Sequence, residues 1–223
     1  MNNYGVIFDM DGVLVDSYQA HFESWREMLR EHGLELTEPD FAATFGRTSR
    51  EIIQHFFGGA VSDDDIARWD AAKEAAYRRI IAADFPEMDG ASALIRALHE
   101  AGFRLAIGSS GPPENVETVV GNLPGGGLFD VTVTGRDVAH GKPHPEVFLL
   151  AAERLGLAPE RCAVIEDALP GVEAGLRAGA NVIALTGTAP REALEEQAHW
   201  VVDSLRELSP DAIRRVIAEP SLR

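Results

Sequence analysis

Six short apolar runs recur along the chain: Tyr4 to Phe8, Arg104 to Ser109, Val131 to Thr134, Cys162 to Ile165, Asn181 to Thr186 and Trp200 to Val202. Most are too continuous to be half-exposed strands. Between the later runs the period changes. From Pro145 to Leu155, residues Val147, Phe148, Leu150, Ala151 and Leu155 share a helical face, and Gly156 stands at the C-cap position. Continuous apolar strands alternating with amphipathic helices predict an α/β fold, a doubly wound, Rossmann-like parallel sheet covered on both faces.

From about Asp16 to Phe85 the pattern is different, with helix signals and no convincing strand. Ser17 is placed to cap a helix ending at Gly33, and Ser62 to cap a long helix through Asp63, Asp64 and Asp65 to about Ala83. The expectation is a small helical domain, residues 16–85, inserted after the first strand of a core formed by residues 1–15 and 86–223. Gly125-Gly-Gly reads as a short flexible turn.

Composition narrows the classes of partner. A chain of 223 residues that is 45% hydrophobic has ample material for a core. Lys plus Arg is 20 against 36 Asp plus Glu, a net charge of −16, which argues against nucleic acid and anionic membrane as partners. An anionic substrate needs a local positive site. No apolar stretch approaches the roughly 20 residues of a membrane span, and no basic-then-apolar leader opens the sequence, so a cytoplasmic protein is expected. Cys162 is the only cysteine, which excludes an internal disulfide, and its apolar surroundings mark it as a buried structural thiol.

Ligands of open parallel sheets bind beyond the carboxyl ends of the strands. There the first strand ends in Asp9 and Asp11, the second in Ser109-Ser110-Gly111, and the fourth in Glu166-Asp167, while Gly141-Lys142-Pro143 follows the third. Each piece has an ordinary structural use: Asp-x-Asp makes turns, and Ser109 or Ser110 can cap the next helix. Four converging carboxylates nevertheless repel one another unless a cation compensates them. Oxygen ligands of this kind suit Mg²⁺, and with no His or Cys cluster read from the sequence, zinc is disfavoured.

The ordered set Asp9-Met-Asp11-Gly-Val-Leu-Val-Asp16, the strand ending in Ser109, Gly141-Lys142-Pro143-His-Pro145-Glu, and Val164-Ile-Glu166-Asp167 resembles the haloacid dehalogenase superfamily. The likeness is to its beta-phosphoglucomutase and phosphoglycolate phosphatase branch, and it spans nearly the whole chain. The resemblance implies that Asp9 is a nucleophile forming an aspartyl-phosphate, and that Asp11 is the general acid and base. It implies Mg²⁺ held by Asp9, Asp167 and the main-chain carbonyl of Asp11. Glu166 is then either a ligand or a hydrogen-bonded support beside the metal. Ser109 and Lys142 would grip the transferred phosphoryl group, with Ser110 and Asn115 beside the substrate. Asp16 is read as a cap or hinge contact.

Within the inserted domain, spacing alone makes His21 and Trp25 packing residues on a stripe with Phe22, Met28 and Leu29. The resemblance instead places His21, Trp25, Arg50 and Lys73 against substrate, with Arg47 the alternative to Arg50; a solvated helical face explains the charged ones equally. The activity so implied is a Mg²⁺-dependent phosphatase acting on a small phosphorylated metabolite, a sugar phosphate, as a monomer or weak homodimer. A phosphomutase is the runner-up. The stretch Ser109 to Asn115 has no lysine and adds Glu114, which disfavours a second phosphate. A dehalogenase has little use for Asp11 and the Glu166-Asp167 pair, and a receiver-type signalling module has none for the helical insertion.

Overall fold

The computed structural model describes residues 4–44, 47–58 and 61–219. They form two compact units, one running up to Asp16 and resuming at Phe85, the other Ser17–Asp84.

In the first unit, six parallel strands make one sheet in the order β3-β2-β1-β4-β5-β6. They are β1 Gly5–Phe8, β2 Arg104–Gly108, β3 Val131–Val133, β4 Cys162–Glu166, β5 Asn181–Leu185 and β6 Trp200–Val202. All six coincide with the apolar runs to within a residue or so at each end. Every residue of β1, β4 and β5 is buried, which is possible only with both faces of the sheet covered. One face shows the period of two expected of strands: Ile7, Ala106, Val164, Val182 and Ala184 pack with Val147, Phe148, Ala151 and Leu155. Cys162 is fully buried in this cluster, and burial pushes its thiol up to about 12, as befits an inert packing residue.

Among the described residues of the second unit the regular elements are all helices, α1 Tyr18–Glu31, α2 Glu38–Thr44, α3 Ser49–Phe57 and α4 Asp63–Ala83. Phe22, Trp25, Met28, Leu29, Phe41, Ile52, Ile53 and Ile66 form its own core. Ser62 caps α4 as its sequence suggests, accepting from Asp65 N–H at 3.1 Å, and the three aspartates of the first turn face the positive helix end. Ser17 does not cap: its backbone is already αR, so its hydroxyl cannot reach back to the first turn of α1. Thr48 supplies the cap the sequence reading missed, sharing a reciprocal capping box with Glu51 at the start of α3.

The sheet returns through α5 Ala91–Glu100, α6 Pro113–Asn122, α7 Glu146–Leu155, α8 Leu169–Arg177, α9 Arg191–Glu195 and α10 Pro210–Ala218. Gly125-Gly-Gly is no free turn. Gly126 begins a 3₁₀ turn, and a Cβ there would stand 2.1 Å from the Val120 carbonyl oxygen.

Candidate active site

The strand order reverses between β1 and β4, and their register pairs Phe8 with Ile165. The residues that follow, Asp9 and Glu166-Asp167, therefore emerge side by side at the switch point of the sheet. Asp9 N–H donates to the Ile165 carbonyl at 2.9 Å, which fixes its backbone to the neighbouring strand end. Beyond it the chain turns tightly, with the Met10 carbonyl accepting from Leu14 at 2.8 Å and Gly12 N–H donating to Val15 at 2.9 Å. Gly12 has φ +76°, and a Cβ there would lie 2.0 Å from Asp167 Oδ2. Glycine is thus required twice, by the turn and by the carboxylate packed on it.

Asp9, Glu166 and Asp167 are buried, with ligand oxygens all within 4.8 Å of one another. Asp11 lies outside this trio, so three of the four predicted carboxylates meet, although the Asp11 charge still acts on Asp9. Lys142, reached through the loop after β3, donates to Asp9 Oδ1 and, at 2.8 Å, to Glu166 Oε1, with its ammonium 4.8 Å from the centre of the Phe148 ring. Glu166 Oε2 accepts from the Asp167 and Ala168 amides, both at 2.8 Å, at the start of α8. A Cβ on Gly171 would fall 1.6 Å from Glu166 Oε1, so α8 leaves a gap for that carboxylate.

One ammonium does not balance three carboxylates. Burial pushes the Asp9 carboxyl up to about 7 against the pull of Lys142, with Glu166 adding repulsion. Burial and the charges of Glu166 and Asp9 raise Asp167 well above the carboxylate range, opposed by a hydrogen bond from Thr188. For Lys142, burial works against the charged form, but Asp9 and Glu166 outweigh it and hold the ammonium above its ordinary range. A buried, all-oxygen donor set with excess negative charge fits a hard dication.

Ser109, buried at the end of β2, accepts from Gly111 N–H at 3.0 Å through its hydroxyl. It closes a turn rather than capping a helix: α6 begins after Pro112 with no side-chain cap. Asn115 is buried on α6, and Ser110 is exposed. Thr188 and Phe148, which touch Asp167 and Lys142, were not expected from the sequence. The sequence reading also passed over an imidazole cluster: His140 and His144 meet Glu146 in the loop that carries Lys142.

In the helical unit, His21, Trp25 and Lys73 do come together. Lys73 is buried, its ammonium 3.0 Å from His21 Nδ1, 2.8 Å from Glu74 Oε1 and 5.5 Å from the Trp25 and Tyr77 ring centres. His21 stacks on Tyr77 at 4.4 Å. Arg50 stands apart, exposed and paired at 2.8 Å with Asp63, and Arg47 is exposed.

The family of haloacid dehalogenase-like hydrolases matches residues 5–179. The chain is 37% identical to hexitol phosphatase A of Escherichia coli K12 over 209 residues, 92% of this chain and 93% of that one. It is 32% identical to a phosphorylated carbohydrates phosphatase of Thermotoga maritima, covering 78% and 81% of the two chains. Among solved structures, a family IA, variant 3 hydrolase of this kind from Entamoeba histolytica superposes with a TM-score of 0.88 at 26% identity, covering 97% of this chain and all of that one (100%).

Proposed function

We propose that this chain, which belongs to the haloacid dehalogenase-like hydrolases, releases phosphate from a small phosphorylated carbohydrate by way of an aspartyl-phosphate on Asp9. It is a phosphoric monoester hydrolase. The observation that carries the finer reading is the Asp9, Lys142, Glu166 and Asp167 cluster at the switch point of the sheet. The names of the phosphatase relatives support the carbohydrate class.

In this reading an Asp9 oxygen attacks phosphorus while Asp11 gives a proton to the departing sugar oxygen. Asp11 then takes a proton from the water that cleaves the acyl-phosphate. Lys142 and Ser109 hold the transferred oxygens, and Asn115 supports them. Glu166, with both oxygens engaged by Lys142 and by two amides, serves to aim Lys142. Asp9, Asp167 and the Asp11 carbonyl would hold Mg²⁺, which supplies charge compensation for phosphate beside carboxylates. The helical segment 16–85 acts as the specificity domain, through His21, Trp25 and Lys73.

The test is a screen of hexitol, hexose and ketose phosphates with Mg²⁺, following phosphate release. Turnover of a carbohydrate phosphate that stops on chelation is expected. A parallel arm offers beta-glucose 1-phosphate with catalytic glucose 1,6-bisphosphate; efficient glucose 6-phosphate formation without phosphate release overturns hydrolysis in favour of the mutase. Absence of phosphate release from every carbohydrate overturns the substrate class.

A further inference from the structure

The loop between β3 and α7 gathers metal-ligating side chains that the phosphatase chemistry does not use. His140, His144 and Glu146 each offer one ligand atom, and these atoms lie within 4.8 Å of one another. His140 Nδ1 stands 3.1 Å and His144 Nδ1 3.7 Å from Glu146 Oε2, and the two imidazole rings are 4.6 Å apart. A tetrahedral dication bound at about 2.0–2.1 Å by nitrogen and oxygen separates its ligands by roughly 3.3 Å. The donors are therefore near the required spacing, and small side-chain rotations close the remainder.

The loop backbone is already closed around them. Glu146, the first residue of α7, accepts from the Ala139 amide at 3.0 Å and the His140 amide at 3.1 Å. His144 N–H donates to the Gly141 carbonyl at 3.0 Å. The first two tie the chain before Lys142 to the carboxylate that follows it, and the third closes the turn between, so the ligands converge at little further cost in chain entropy. Both imidazoles are exposed, which leaves an ion free access and a fourth position for water. Two nitrogens and one oxygen select a borderline transition ion over Mg²⁺, whereas the all-oxygen trio at the strand ends has the opposite preference.

We infer that His140, His144 and Glu146 form a binding site for a transition dication of the Zn²⁺ class, distinct from the carboxylate site and lying in the loop that carries Lys142. An ion held there ties His140 to His144 across Lys142.

Calorimetric titration of the untagged full chain with Zn²⁺ in excess Mg²⁺ tests this, with a Co²⁺ titration read by visible absorption. One ion per chain is expected, with the Co²⁺ bands of a nitrogen-containing site. His140→Ala and His144→Ala should each weaken binding by about tenfold or more, as expected on losing a direct ligand. Both residues are exposed, so melting curves should stay at the wild-type position, and Asp167→Asn should leave Zn²⁺ binding intact. No saturable Zn²⁺ binding, or binding that survives the His140→Ala/His144→Ala double variant and is lost in Asp167→Asn, overturns the site.

Discussion

Lys142 in the α/β unit and Lys73 in the helical unit are buried to similar depth, with side chains 9% and 4% exposed, yet they meet opposite surroundings. Lys142 faces Asp9 and Glu166, with Asp167 beside them, so its pocket remains negative after the ammonium is counted. Lys73 is matched by the Glu74 carboxylate, while its other close neighbours are the His21 imidazole and the faces of Trp25 and Tyr77. Aromatic faces stabilise a cation without neutralising it. The first pocket keeps an excess of negative charge that suits an added cation. The second is already balanced, one ammonium against one carboxylate. In the proposed reaction these become the transfer site and a specificity contact.

The sharpest way to break this comparison is to remove the proposed nucleophile. Asp9→Asn keeps the shape and removes the attacking charge, so phosphate release should fall by at least about a thousandfold. Circular dichroism should show the fold unchanged, and mass spectrometry of trapped wild-type enzyme should find the phosphoryl group on Asp9. Turnover retained in the variant, or a phosphoryl group on Ser109, removes the transfer site from this cluster.

The two lysines should then part in their kinetics. Lys142→Met deletes a donor aimed at the reacting centre, and a loss of about 10²–10³-fold in kcat is expected. Lys73→Met should raise KM for a sugar phosphate several-fold while kcat stays within about threefold, the pattern of binding shared by ground and transition states. It also removes the ion pair of Lys73 with the half-buried Glu74, so stability should drop by about 1 kcal/mol. Equal kcat losses in both variants erase the distinction. An unchanged KM in Lys73→Met reduces that lysine to a packing role.

A smaller effect concerns how the α/β unit builds its loops from charge. Asp137 accepts from the Thr134 amide at 2.8 Å, the Thr134 hydroxyl at 2.7 Å and Arg154 at 2.7 Å, tying the end of β3 to α7. Arg154 and the Thr134 bonds hold its carboxyl down at about 2, below its ordinary value of 3.8. Because the folded value is depressed, the stabilisation is full above the unfolded value and is lost as pH falls through the folded one. Asp137→Asn should therefore cost about 1 kcal/mol at pH 6, with the gap to wild type closing between about pH 4 and pH 2 in urea titrations. A gap that persists at pH 2 assigns the effect to geometry instead of charge.

What could be read from the sequence divides along physical lines. Strands buried on both faces announce themselves as continuous apolar runs, and carboxylates directly after them cannot point anywhere but the strand ends, so Asp9, Glu166 and Asp167 were legible. Thr188 was not, because a threonine in a Gly-Thr-Ala-Pro loop carries no periodic signal and meets Asp167 only through the fold. Ser109 illustrates a second limit. A hydroxyl can cap a helix or close a turn at nearly equal energy, and the two prolines that follow move the start of α6 beyond its reach. His140 and His144 were passed over singly because their meeting depends on how Glu146 closes the loop.

The smallest expected effect tests the limit of the charge argument in the helical unit. Arg50 pairs with Asp63 at 2.8 Å, but the two side chains are 52% and 83% exposed. Such a pair gains little Coulomb energy in water, orders two long side chains and is screened by salt. Arg50→Ala should shift unfolding free energy by no more than about 0.5 kcal/mol. Its effect on KM for a sugar phosphate should be smaller than that of Lys73→Met, because a solvated guanidinium has already spent its charge on water and Asp63. Measuring KM at low and high salt separates the two readings of this residue. A large KM increase at low salt that fades at high salt makes Arg50 a long-range attractor of the substrate. An increase that resists salt makes it a direct contact, and the ranking of Lys73 above Arg50 then reverses.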